Sequence, residues 1–162
     1  MDIRTVPPGD YGTRSTLARM ASVARRGSRL PLTVRLASRI VDGVRGKPLS
    51  MIGALRGWLG QVLEFQADPY GSEAVRTVPE MLREAQHTGK VVGDCDDASV
   101  LSAALAMSVG LPARFVVLGW SGPDGPFGHV YTEARAPDGW VEFDVTRPPT
   151  PLPPTRAATY RV

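Results

Sequence analysis

The stretch Gly93-Asp94-Cys95-Asp96-Asp97-Ala98-Ser99, running into the apolar segment Val100 to Val109, constrains this chain more than any other. A glycine, a short polar residue and then a long apolar run without proline predict a buried helix whose N-cap is Asp94. Cys95, the one cysteine of the chain, then sits in the first turn. Backbone N–H groups and the positive end of the helix dipole favour an anion there, so its thiolate is expected to be easier to reach than that of a free thiol. A solitary cysteine is ordinarily a small buried hydrophobe. Here it is flanked by Asp94, Asp96 and Asp97, three carboxylates that want solvent, which argues against core filler. Those carboxylates also push a thiol pKa upward, so a cation must offset them, and a histidine is the candidate.

The rest of the composition allows one compact domain. With 162 residues, 43% hydrophobic and 22% charged, the chain can bury a core without disulfides. A single cysteine forbids an internal disulfide. No apolar run reaches spanning length and the start MDIRTVPPGD has no apolar signal core, so the expected setting is the cytoplasm, with no membrane association. The net charge of +3 conceals an asymmetry. Residues 1–47 hold ten Lys or Arg against three Asp, and the remainder nine against thirteen acidic residues. Such a basic arm reads first as a solvated helix face; the second reading is a docking surface for an acidic protein partner, and without interleaved aromatics for base stacking nucleic acid is not expected.

Helical spacing runs through residues 14–26 (Leu17, Met20, Ala21, Ala24) up to Gly27. A second helix is expected from Pro31 through Val44, stopped by Gly46 and Pro48. A third follows a Ser50 cap, with Met51, Ile52, Leu55, Trp58, Leu59 and Val62 as its stripe. Its Gly53, Gly57 and Gly60 are read as letting another element pack closely. Residues 65–72 read as a loop, and Pro79 opens a short helix to about Gln86. Beyond Gly110 and Pro112 the period changes to strands at 113–118, 129–135 and 140–145, separated by the glycine-rich loop 119–128 and the turn 136–139. Helices followed by an antiparallel sheet give an α+β layout. The domain reading is a basic helical arm over 1–48, a core over 49–146 and a proline-rich tail over 147–162. The tail is expected to be an extended strap along the body, anchored by Tyr160, with Pro151 to Arg156 matching a Pro-x-x-Pro-x-Arg pattern.

His129 opens one strand and Asp144 lies near the end of the next, so hairpin pairing can bring them together. A thiol, an imidazole and a carboxylate in that chain order are what acyl transfer by a cysteine requires. His87, beside a helix end, is read as a solvated histidine. Gly-Asp-Cys-Asp-Asp before an Ala/Leu-rich helix, then residues 109–117, Gly128-His129-Val130-Tyr131-Thr132-Glu133 and 139–146, resemble the transglutaminase-like cysteine-peptidase superfamily over about residues 60–146. The segments 68–73 and 77–79 resemble its small bacterial and prophage-encoded members. The resemblance implies a papain-like core, N-terminal helices and a catalytic helix packed on a small antiparallel sheet. It places the nucleophile on Cys95, the base on His129 and the orienting acid on Asp144. It also implies an oxyanion hole from the Cys95 N–H and a side chain ahead of the catalytic helix, with Gln66 as candidate and Trp58 as reserve.

A calcium loop starting at Asp94 would need oxygen ligands where Ala98 and Leu105 stand, and zinc ligands with paired spacing are missing, so neither a metal nor a cofactor is expected. The expectation is a thiol enzyme acting on a peptide or protein amide, with hydrolysis favoured over cross-linking because no acceptor-binding domain is recognisable. The alternative is a non-catalytic binding or assembly protein of a phage-like particle that keeps the fold and docks through its basic arm.

Overall fold

The computed structural model describes residues 10–67, 75–146 and 152–162, together with the backbone of 4–5. The chain order is β1 (Arg4–Thr5), α1 (Tyr11–Ser28), α2 (Pro31–Ile40), α3 (Pro48–Val62), β2 (Leu63–Phe65), α4 (Val78–Thr88) and β3 (Val91–Gly93). Then come α5 (Cys95–Ser108), β4 (Ala113–Gly119), β5 (His129–Ala136), β6 (Gly139–Phe143) and β7 (Arg156–Arg161). No helix among the described residues is long and apolar enough to cross a membrane.

Everything packs around α5. Asp94 caps it, its Oδ1 accepting from the N–H groups of Asp96 and Asp97 at 2.9 and 3.2 Å. Residues Asp97 to Ala106 are all buried, and a helix buried on every side must be enclosed by other elements. It contacts α1, α2, α3 and α4 as well as β4 and β5. Four alanines let those neighbours approach, while Leu101 and Leu105, fully buried, each contribute about 1.5–3 kcal/mol of apolar burial. Leu17, Met20, Ala21 and Ala24 of α1 and Ala37 of α2 join the same apolar cluster.

The main sheet has the order β1-β7-β4-β5-β6, antiparallel except where β1 runs parallel to β7. Leu118 pairs with His129 and Val117 with Val130 across β4 and β5; Thr132 pairs with Phe143 across β5 and β6. The small parallel pair β2–β3 ends with Phe65 beside Gly93. Gly93 is required there, since a Cβ would lie 2.7 Å from an Asp97 carboxylate oxygen.

Five sequence expectations need correction. The residues 156–161 do not continue a strap: they form β7, an interior strand of the sheet, because once the prolines end every residue again carries a backbone N–H and the segment can pair with β1 on one edge and β4 on the other. The earlier part of that tail, 147–151, lies outside the described residues, as does the motif at 68–73. Asp97 is not solvated but buried, its Oδ1 accepting from the Arg76 backbone N–H at 3.0 Å. Gly53 and Gly57 admit no close neighbour, since a Cβ at either would meet nothing within 4 Å; with Gly60 and Arg56 they line an open cleft of about 500 Å³ beside Asp144 and Val145. Ser50 is inside α3, which starts at Pro48, a residue whose fixed φ suits a first turn. Finally α2 stops at Ile40, and Asp42–Val44 form a 3-10 turn.

Candidate active site

Cys95 is the first residue of α5, positioned by the Asp94 cap and by the β2–β3 pair immediately before it. His129 is the first residue of β5 and Asp144 follows β6 directly. Extending the β5–β6 register by one step puts Asp144 opposite Tyr131 and diagonal to His129, close enough for a long side chain to bridge. His129 Nε2 and an Asp144 carboxylate oxygen are 2.8 Å apart, both side chains nearly inaccessible. Burial alone would raise the Asp144 carboxyl. His129 and the N–H and hydroxyl of Thr146 outweigh it and hold the pKa below the ordinary value. Tyr131 stacks on the imidazole with ring centroids 6.2 Å apart. With Nε2 committed to Asp144, Nδ1 is the ring nitrogen left to handle a proton.

Cys95 and His129 line one cavity of about 460 Å³. No hydrogen bond joins the thiol to the imidazole among the described residues; the sulfur instead faces an Asp96 carboxylate oxygen at 3.9 Å. The expected easing of thiol ionisation is absent in this resting arrangement. Burial pushes the Cys95 pKa from 9.0 to about 12; the Val130 backbone N–H opposes it as the next-largest influence, Asp96 and then Asp94 raise it further, and the Cys95 N–H lowers it least. Among the described residues lining the cavity, His129 is the one basic group.

Gln66 stands at the end of β2, its backbone N–H donating to the Gly93 carbonyl at 2.9 Å, with its side chain exposed. Trp58 is half-buried on α3 and packs against the core. Neither lines the cavity of Cys95 and His129. His87 is exposed, with Nδ1 2.7 Å from the Arg83 carbonyl within its own helix.

Two groups of residues near the site escaped the sequence reading. Ser99 Oγ lies 2.6 Å from the Cys95 carbonyl and 3.1 Å from the Val130 carbonyl, and Thr132 Oγ1 donates to the Ser99 carbonyl at 2.8 Å. These bonds tie the turn carrying Cys95 to the strand carrying His129. A serine four residues after the cysteine in an apolar helix was the available signal. The second group is one wall of the cavity, supplied by Gly12, Thr13, Thr16, Leu17 and Met20 of α1. Helical periodicity identified that helix but carried no information about what its N-terminal half would face.

A sequence model of the transglutaminase-like superfamily matches residues 34–145. No curated protein matches the chain significantly. Among solved structures, a candidate cysteine protease from Cytophaga hutchinsonii is 22% identical with a TM-score of 0.54, over 90% of this chain and 46% of that one. A candidate protease from Parabacteroides distasonis is 13% identical with a TM-score of 0.61, over 81% of this chain and 26% of that one. The chain thus spans less than half the length of either structure, and the likeness is one of fold.

Proposed function

This chain belongs to the transglutaminase-like superfamily, and on that premise we propose that it is a thiol-dependent amidase or peptidase using Cys95, His129 and Asp144. The observation that carries the reading is the buried His129–Asp144 hydrogen bond at the edge of the cavity that also holds Cys95. In the first step His129 Nδ1 takes the thiol proton as the sulfur attacks the amide carbonyl carbon, and the electron pair of the C=O bond moves to oxygen. The Cys95 N–H, which has no intrahelical acceptor at this position, supports the oxyanion. Collapse breaks the C–N bond, and the imidazolium gives its proton to the departing amine. The thioester is then released by water, whose proton passes through the same imidazole. Asp144 keeps the ring in the productive tautomer and stabilises its charged form. Gln66, whose backbone N–H bonds the carbonyl of Gly93, two residues before the nucleophile, remains the proposed second oxyanion donor.

The test is to trap the acyl-enzyme. A peptide pool incubated with the protein, quenched in acid and read by intact mass should show an adduct on Cys95 that hydroxylamine removes and that Cys95→Ala lacks. Absence of any thioester together with no Cys95-dependent peptide cleavage would contradict the assignment and favour the non-catalytic binding role.

A further inference from the structure

The family match begins at residue 34, yet the active-site cavity is closed on one side by residues 12–20. Helix α1 therefore adds something to the site that the matched segment does not contain. Leu17 and Met20 of α1 share the apolar lining with Val117 and Phe127, and the half-buried Thr13 and Thr16 line the cavity as well. Asp94 and Asp96 flank the sulfur. The cavity, about 460 Å³, falls in the range of small-ligand sites.

The two walls are also tied to each other. Arg156 of β7 pairs with Asp10, the residue preceding α1, and donates to the Gly125 carbonyl at 2.7 Å. Its guanidinium lies over the Phe127 ring, 4.0 Å from the centroid. One side chain thus holds the start of α1 and the 119–128 loop at a fixed spacing.

We propose that α1 is the specificity wall of this site, forming with Val117 and Phe127 an apolar subsite for a compact aliphatic side chain on the acyl side of the scissile amide, with Arg156 setting its width. This rests on Cys95 being the nucleophile. The acyl portion is assigned to the cavity because it stays bonded to sulfur after the amine leaves. A carboxylate-bearing side chain is disfavoured: it would be desolvated on apolar surface and would meet Asp94 and Asp96.

Three peptidyl vinyl sulfones differing solely in the residue next to the warhead (Leu, Gly or Glu) test the proposal through their second-order rates of Cys95 labelling, read by intact mass. The thiolate adds to the vinyl carbon, and the proton held by His129 ends on the carbon next to the sulfone. The leucyl probe should react about tenfold faster than the glycyl probe, and the glutamyl probe slowest. Thr16→Phe, which adds bulk to that lining, should collapse the Leu-to-Gly ratio toward one. Gly12→Phe provides a second filling variant, since a Cβ there meets nothing within 4 Å. Arg156→Gln should reduce the ratio by releasing both walls. A cooperative thermal transition in each variant verifies folding. Equal rates for the three probes, with labelling still dependent on His129, would overturn the subsite and leave the enzymatic reading intact. A ratio unchanged by the filling variants would overturn the role of α1. Labelling no faster than that of free cysteine and indifferent to His129→Ala would overturn both.

Discussion

The segment from Val91 to Thr146 and the two flanking regions, α1 and β7, build the same site by different kinds of information. In the first, each local signal agrees with its neighbours. Asp94 caps, the apolar run buries, Gly110 with its φ of 84° ends the turn, and three strands follow, separated by glycine-bearing turns, up to Asp144. The flanks carry no such signature. α1 reads as a generic amphipathic helix and β7 as the end of a proline-rich tail, yet α1 walls the cavity of Cys95 and His129 and β7 lies within the sheet between β1 and β4. Chemistry is thus written locally, whereas the shape of the cavity is written in long-range pairing.

If β7 is an integral strand, removing it should have the largest effect. Deleting residues 152–162 strips the hydrogen-bonded partner from one edge of β4 and removes Arg156, which ties the two cavity walls together. We expect the cooperative thermal transition to disappear, because unpaired interior backbone and newly exposed core exceed the margin of a domain this size. A truncated protein that melts as the full chain does would show β7 to be dispensable and would erase the contrast drawn above.

Within the locally legible segment, Asp144→Asn should preserve the fold and its thermal transition while slowing vinyl sulfone labelling of Cys95 by about 100-fold or more. The amide can fill the same space but neither fixes the right imidazole tautomer nor stabilises the charged ring. Labelling at the wild-type rate would remove Asp144 from the machinery. A smaller effect is expected from Ser99→Ala. The Cys95 and Val130 carbonyls lose a shared donor, at a cost of about 1–2 kcal/mol, which lowers the melting temperature by about 2–8 °C. Labelling should slow as well, since the α5–β5 spacing is no longer pinned at that point. A lower melting temperature with unchanged labelling would reduce Ser99 to a purely structural part.

The sequence was most informative where a residue's neighbours in the chain are also its partners. Asp94 needs only the next three residues to act as a cap, and the strands expected at 113–118, 129–135 and 140–145 from short apolar runs between turn residues are found at 113–119, 129–136 and 139–143. It was least informative where a distant partner decides. Asp97 looked solvated until the Arg76 N–H, twenty-one residues away, was seen to meet its carboxylate. Arg156-Ala157-Ala158-Thr159-Tyr160-Arg161 has little apolar bulk, and its strand state comes from pairing on both edges. Gly53, Gly57 and Gly60 suggested a close neighbour, yet they border an open cleft, a distinction that helical spacing does not encode. Proximity of Cys95 to the dipole and N–H groups of α5 suggested an easy thiolate. Burial and the Asp96 and Asp94 carboxylates act in the opposite direction.

That last reversal leaves His129, the one basic group among the described residues lining the cavity, to activate the sulfur, and this is the claim on which the account depends. Cys95 alkylation by iodoacetamide, followed from pH 5 to 11 in the wild type and in His129→Ala with cysteine as reference, tests it directly. With no imidazole to accept its proton, the variant's thiol should stay high, held there by burial and by the Asp96 and Asp94 carboxylates, with very little thiolate at pH 7. The variant's rate should then rise about tenfold per pH unit across the range without a plateau. The wild type, able to place its proton on Nδ1, should react measurably at pH 7 and level off well below the variant. Superimposable profiles for the two proteins would contradict the assignment of His129 as the base and with it the catalytic reading of the site.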